Sequence, residues 1–179
     1  MILHEKLSAQ LPAWRERVKT LVKEHGETVI DQVTIGQVYG GMRDIKSMVT
    51  DISFVDPATG IKFRGMSIPE VLEKLPKPAG ASIPYVGGLF YLLLIGEIPT
   101  KAQAEEVEAE WAKRAVVPAH VFAMLRSMPK DTHPMVLFSQ AVLALQSGSK
   151  FAKAYHEGVK KDMYWDSTCL LYTSPSPRD

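Results

Sequence analysis

Hydrophobic residues at the start of the chain recur in steps of three and four. Leu3, Leu7, Leu11, Trp14, Val18, Leu21 and Val22 form one stripe, and Arg15, Arg17, Lys19 and Lys23 lie off it. This pattern predicts an amphipathic helix that stops at Gly26. Pro12 either kinks that helix or occupies the first turn of a second one. Thr34 is placed to cap a single short turn that leads into Tyr39-Gly40-Gly41-Met42-Arg43. The period then changes. Val49, Ile52, Phe54 and Val55 precede the turn residues Asp56-Pro57-Ala58-Thr59-Gly60, and Ile61 and Phe63 follow, which predicts a hairpin over residues 49–63.

Beyond the hairpin the pattern is helical. Ser67-Ile68-Pro69-Glu70 is a capping-box signature, and its helix ends before Pro76. Residues 87–95 are apolar nearly all round, as expected of a buried helix. Thr100 and Gln103 form a second capping box. The helix after it places Glu105, Glu106, Glu108 and Glu110 early and Lys113 and Arg114 late, matching the helix dipole. Pro118 suits the start of the next helix and Pro129 its end. Asp131 or Thr132 is expected to cap a helix running from Pro134 to Leu145. Ser147-Gly148-Ser149 breaks it, and Phe151 to Glu157 resumes. The fold class expected is mainly α with one small β-hairpin near the N-terminus.

Composition narrows the picture by exclusion. Hydrophobic residues at 46% and charged residues at 23% suit a globular core and argue against disorder along the chain. A formal net charge of +1 gives no reason to expect nucleic acid or an acidic membrane as partner. One cysteine builds neither a disulfide framework nor a thiolate metal site. The longest apolar run, residues 87–95, is too short to span a bilayer. Met1-Ile2-Leu3-His4 resembles neither a signal peptide nor an Arg- and Ser-rich transit segment.

The last eleven residues, Cys169 to Asp179, leave the helical pattern. The codons TGT CTC TTA TAC ACA TCT translate as Cys-Leu-Leu-Tyr-Thr-Ser, one frame of a transposase adapter used in sequencing libraries, and that frame continues Pro-Ser-Pro-Arg-Asp. The expectation is one incomplete domain over residues 1–168, then an unstructured adapter artefact over 169–179 that packs against nothing.

A series of words, in order, carries a resemblance. They are Tyr39-Gly-Gly-Met-Arg43, Asp56-Pro57 with Gly60-Ile-Lys-Phe-Arg-Gly65, Ser67-Ile-Pro-Glu70 and Gly88-Leu-Phe90 with Ile98-Pro-Thr100. Glu110-Trp-Ala-Lys-Arg-Ala115, His133-Pro-Met135, Phe151-Ala-Lys-Ala-Tyr155 and Tyr164-Trp165 follow. Together they resemble the N-terminal part of the mitochondrial type of citrate synthase. The resemblance implies the family's all-helical fold, a homodimer and a place in the mitochondrial matrix. It implies an enzyme that condenses acetyl-CoA with oxaloacetate and water to give citrate and CoA. Acetyl-CoA is a substrate, so no cofactor is expected. The family's catalytic groups are two His and one Asp, and they correspond to sequence beyond Thr168. No catalytic residue is therefore assigned in this chain, and the chain alone is expected to be inactive. A 2-methylcitrate synthase fragment and a stand-alone helical interaction module are the alternatives.

Two cations are candidates for binding CoA. In the family, the Arg of the Tyr-Gly-Gly-Met-Arg word contacts phosphate groups of CoA held mainly by the partner subunit, which points to Arg43. Two glycines allow a tight turn, and a guanidinium matches phosphate oxygens. Lys161 falls where the family can carry an Arg near the CoA phosphates. Here the charge is kept and the fork lost, and Lys160 beside it is a substitute. His120, His133 and His156 have no zinc-peptidase spacing, so no metal site is assigned, and His133 before Pro134 reads as a helix-entry residue. Ser139, Ser147 and Ser149 lack a nucleophile-elbow setting. Gly40-Gly41 and Gly87-Gly88 lack the context of a phosphate loop.

Overall fold

The elements follow the local signals closely. A computed structural model describes residues 2–46 and 49–168, so the run from Cys169 lies outside the described residues. Helix α1 (Ile2–His25) runs through Pro12 as one helix, which sets aside the alternative of two. Helix α2 (Ile35–Tyr39) is the short turn expected after Thr34. Strands β1 (Ser53–Asp56) and β2 (Gly60–Phe63) form the hairpin, with Ser53 opposite Phe63 and Asp56 opposite Gly60. Its turn is held by Asp56, whose Oδ1 accepts from the N–H groups of Ala58 (2.9 Å) and Thr59 (2.7 Å). The paired strand begins at Ser53 rather than at Val49. A two-residue strand, β3 (Met66–Ser67), pairs with β2 and makes a three-stranded antiparallel sheet in the order β1-β2-β3.

The remaining elements are helices: α3 (Ile68–Lys74), α4 (Val86–Ile95), α5 (Lys101–Arg114), α6 (Ala119–Ser127), α7 (Pro134–Ala144), α8 (Lys150–His156) and α9 (Tyr164–Thr168). The fold is mainly α, as the pattern predicts. Glu70 Oε2 accepts from both the N–H and the Oγ of Ser67 at 2.7 Å, anchoring the start of α3. Thr100 and Gln103 exchange both bonds of a capping box, Thr100 N to Gln103 Oε1 at 2.8 Å and Gln103 N to Thr100 Oγ1 at 3.3 Å. Helix α7 departs from expectation. Its cap is neither Asp131 nor Thr132 but His133, whose Nδ1 accepts from Met135 N at 3.2 Å. Pro134 at the first helical position fixes the entry, so the residue just before it is the one within reach of the orphan N–H.

The chain divides into two compact units, one of residues 2–104 and one beginning at Glu105. In the first, Val71, Leu75 and Leu92 form a buried cluster, with Phe63, Met66 and Leu89 packed against it. Burying each such side chain contributes roughly 1.5–3 kcal/mol, so this small cluster holds α3, α4 and the sheet together. Helix α1 packs on α4 through only the first part of its stripe. Leu3 is buried and Leu7 and Leu11 are half-buried, whereas Trp14, Val18, Leu21 and Val22 are exposed. Lys6 Nζ and Gln10 Nε2 reach Glu97 at 3.4 and 3.5 Å and pin the same end.

In the second unit α6 packs on α7 and α8 on α9. His120 Nε2 lies 3.0 Å from the carbonyl of Ala144, tying the start of α6 to the end of α7. Glu110 takes Lys113 Nζ at 2.8 Å and Arg114 Nη2 at 3.1 Å, one turn of mutual support within α5. Ser149 caps α8 through Ala152 N at 3.1 Å, so the Ser-Gly-Ser break expected there both ends one helix and begins the next.

Candidate functional site

Arg43 stands at the end of a turn built by three residues. Thr34 Oγ1 accepts from Gln37 N at 3.2 Å, and Gln37 Oε1 accepts from Thr34 N at 3.0 Å, a complete capping box on α2. The C-terminal end of α2 closes as a Schellman motif. Met42 N donates to Gln37 O at 2.9 Å and Gly41 N to Val38 O at 3.3 Å, with Gly41 left-handed at φ 79°. The same Gln37 donates from Nε2 to the carbonyl of Arg43 at 3.5 Å. One glutamine therefore fixes the start of the helix, its end and the backbone of the candidate cation. The Thr-x-x-Gln spacing is the sequence signal for Gln37.

Arg43 is flanked by two further left-handed residues, Met42 at φ 62° and Asp44 at φ 59°. Non-glycine residues adopt this region rarely, at a cost of order 1 kcal/mol each. Arg43 is exposed, and no described residue forms an ion pair with its guanidinium. The arrangement presents an unpaired, planar cation on a tightly determined backbone, which suits a phosphate or carboxylate approaching from solvent.

Lys161 belongs to the second unit and has a similar mount. Helix α8 also ends in a Schellman motif: Val159 N donates to Ala154 O at 3.0 Å and Gly158 N to Tyr155 O at 3.1 Å, with Gly158 at φ 80°. Lys160 then opens a single 3-10 turn, residues 161–163, by accepting from Met163 N at 2.9 Å. The loop is closed by aromatic rings: Phe151 of α8 meets Tyr164 of α9 edge-on at 5.2 Å, and Tyr155 lies 6.2 Å from Tyr164. Lys160 and Lys161 are both exposed, and no described residue pairs with either ammonium. Arg43 and Lys161 are thus each presented from a short helix end of its own unit.

Arg64 is a further cation, and no spacing in the sequence singles it out. It has φ 48°, and its guanidinium fits under the end of α4. Nε and Nη2 donate to Leu93 O at 3.1 and 2.6 Å, Nη2 donates to Leu94 O at 3.3 Å, and Nη1 pairs with Asp51 Oδ2 at 3.0 Å. Arg64 serves the structure by capping carbonyls and complementing the dipole at a helix C-terminus. It also lines an open groove of about 790 Å³ whose apolar wall includes Leu7, Leu11, Ile52 and Leu94.

The histidines do not converge. His120 binds a helix end and His133 is a cap. Among the described residues no group of three or more His, Cys, Asp or Glu side chains could hold a metal ion. Among them too, no helix is long and apolar enough to cross a membrane.

Comparison with known proteins agrees with the sequence words. Residues 41–175 match the family model described as citrate synthase, C-terminal domain. The chain is 51% identical over 166 residues to "Citrate synthase, mitochondrial" of Saccharomyces cerevisiae, covering 93% of this chain and 35% of that protein. It is 49% identical over 164 residues to "Probable citrate synthase, mitochondrial" of Glossina morsitans morsitans, with 92% and 35% covered. It is 48% identical over 164 residues to "Citrate synthase, mitochondrial" of Xiphias gladius, again with 92% and 35% covered. The chain spans about a third of the length of the curated relatives it matches.

Proposed function

Because the chain belongs to the citrate synthase family, we propose that it is part of an enzyme that condenses acetyl-CoA with oxaloacetate and water to give citrate and CoA. The observation that carries this reading is near-50% identity to mitochondrial citrate synthases along more than nine-tenths of the chain. In this reaction a base removes a proton from the acetyl methyl group, and the resulting carbon attacks the oxaloacetate carbonyl. Water then cleaves the thioester and releases CoA. The contribution of residues 1–168 is to binding. Arg43, and Lys161 with Lys160, supply positive charge to the phosphates of CoA, which are distant from the reacting carbon. No cofactor besides the substrates is required.

The active assembly is a homodimer in the mitochondrial matrix; the word mitochondrial in the relatives' names supports the organelle. A second copy is supported by α7, where Met135, Val136, Phe138, Val142 and Leu143 are all exposed. Neither nucleic acid nor membrane is a partner.

Two experiments test the reading. Genomic sequence downstream of the codon for Thr168 should continue in frame and carry two His and one Asp in the family's catalytic words; an early stop there would overturn it. In the full-length protein, Arg43→Ala should weaken acetyl-CoA binding and leave oxaloacetate binding nearly unchanged. A charge-assisted hydrogen bond is worth ~1.5–3 kcal/mol, which corresponds to roughly ten- to hundredfold in affinity. Equal losses for both substrates would make Arg43 a structural residue.

A further inference from the structure

Asp44 occupies an unusual position. It follows Arg43 directly and is exposed, and its φ of 59° puts it in the left-handed region where glycine is at ease. Asparagine and aspartate tolerate that region better than most residues, so the turn's geometry alone explains why a small polar residue stands there. It does not call for a negative charge. No described residue pairs with the Asp44 carboxylate, and it forms no ion pair with Arg43 beside it. The backbone on both sides is fixed: Met42 N and O are engaged with Gln37 O and Ile45 N, and Arg43 O accepts from Gln37 Nε2. The carboxylate therefore belongs to the residue next to the exposed Arg43, with the exposed Lys46 two residues further on, and it does not neutralise Arg43 in a direct pair.

We propose that Asp44 sets the affinity of this turn by repelling the phosphates that Arg43 attracts, so that the site binds CoA more weakly than its geometry allows. This inference rests on the reading of Arg43 as a phosphate contact. The expected size follows from Coulomb's law. For one charge opposing a phosphate dianion across ~8 Å of water, the change is about twofold at physiological ionic strength and about fourfold near 10 mM salt. Asp44→Asn removes the charge and keeps a residue suited to the left-handed region. Asp44→Gly removes the charge and the backbone cost together. Asp44→Glu keeps the charge.

The test is a titration of the full-length protein with CoA and with phosphate-free pantetheine, at about 10 mM and about 150 mM ionic strength, where screening differs most. Asp44→Asn and Asp44→Gly should each tighten CoA binding by about fourfold at the lower salt and about twofold at the higher, with pantetheine unaffected and Asp44→Glu close to the parent. An unchanged CoA affinity in Asp44→Asn and Asp44→Gly at low salt overturns the inference, as does an equal gain for pantetheine. Arg43→Ala in the same series separates the two failures. If it weakens CoA while Asp44→Asn does nothing, only the inference about Asp44 falls. If Arg43→Ala leaves CoA untouched, the phosphate contact itself is wrong and Asp44 has nothing to oppose.

Discussion

Removing the guanidinium of Arg64 should loosen the C-terminal turn of α4 more than any exposed charge in the chain. The side chain is only 16% exposed and donates three hydrogen bonds to the carbonyls of Leu93 and Leu94. A hydrogen bond from a charged group contributes ~1.5–3 kcal/mol, and the bonds of one fork are not additive. The groove beside Arg64 is open, so water replaces part of what is lost. A net cost of about 2 kcal/mol for Arg64→Leu is therefore expected, near the lower part of that range. Asp51 is 69% exposed, and its ion pair with Arg64 contributes at most about 1 kcal/mol. Asp51→Asn should then cost far less than Arg64→Leu. Arg64→Lys keeps the charge without the fork and should fall between them. Hydrogen exchange reads this locally: a 2 kcal/mol loss raises exchange of the amides at the end of α4 by roughly 30-fold. If Arg64→Leu exchanges like the parent, or Asp51→Asn matches Arg64→Leu, the helix-capping account is wrong.

Two further outcomes are expected. Leu92 is fully buried between Val71 and Leu75, so Leu92→Ala should destabilise the 2–104 unit by about 2–5 kcal/mol, whereas Leu92→Met should cost under about 1.5 kcal/mol. Urea unfolding of the two variants checks this, and equal midpoints would show that the cluster does not hold the unit together. The hydrogen bonds from Thr59 and Ala58 hold the Asp56 carboxyl below its ordinary value of 3.8. A lowered folded-state value contributes stability that is present above 3.8 and lost as pH falls through the lowered value, so the hairpin turn should loosen only in that acid range. Asp56→Ala should remove this acid step in the exchange of Ala58 and Thr59, and a step that persists would assign it to another group.

Local chemistry alone determined most of the elements. The three- and four-residue stripe specified α1, and Thr34, Ser67 and Thr100 marked helix starts because capping needs only neighbours within a turn. The Asp-Pro-Ala-Thr-Gly turn specified the hairpin for the same reason. The cation candidates came from the resemblance, Arg43 from the Tyr-Gly-Gly-Met-Arg word and Lys161 from its position in the family, and both are exposed. What tertiary structure decided are pairings between distant residues. The stripe of α1 looks uniform, yet α4 buries only its first half. Arg64 reads as one more residue of a hairpin end until the fold brings the end of α4, 29 residues on, within hydrogen-bond distance of its guanidinium. Strand β3 is too short to show a period, and it exists because β2 offers it a partner. The left-handed backbone at Met42 runs against local preference, and the hydrogen bond from Met42 N to Gln37 O holds it there. Spacing in sequence reveals contacts within one turn of chain. A contact that closes a loop of tens of residues depends on what the rest of the fold brings near, and only the folded structure shows that.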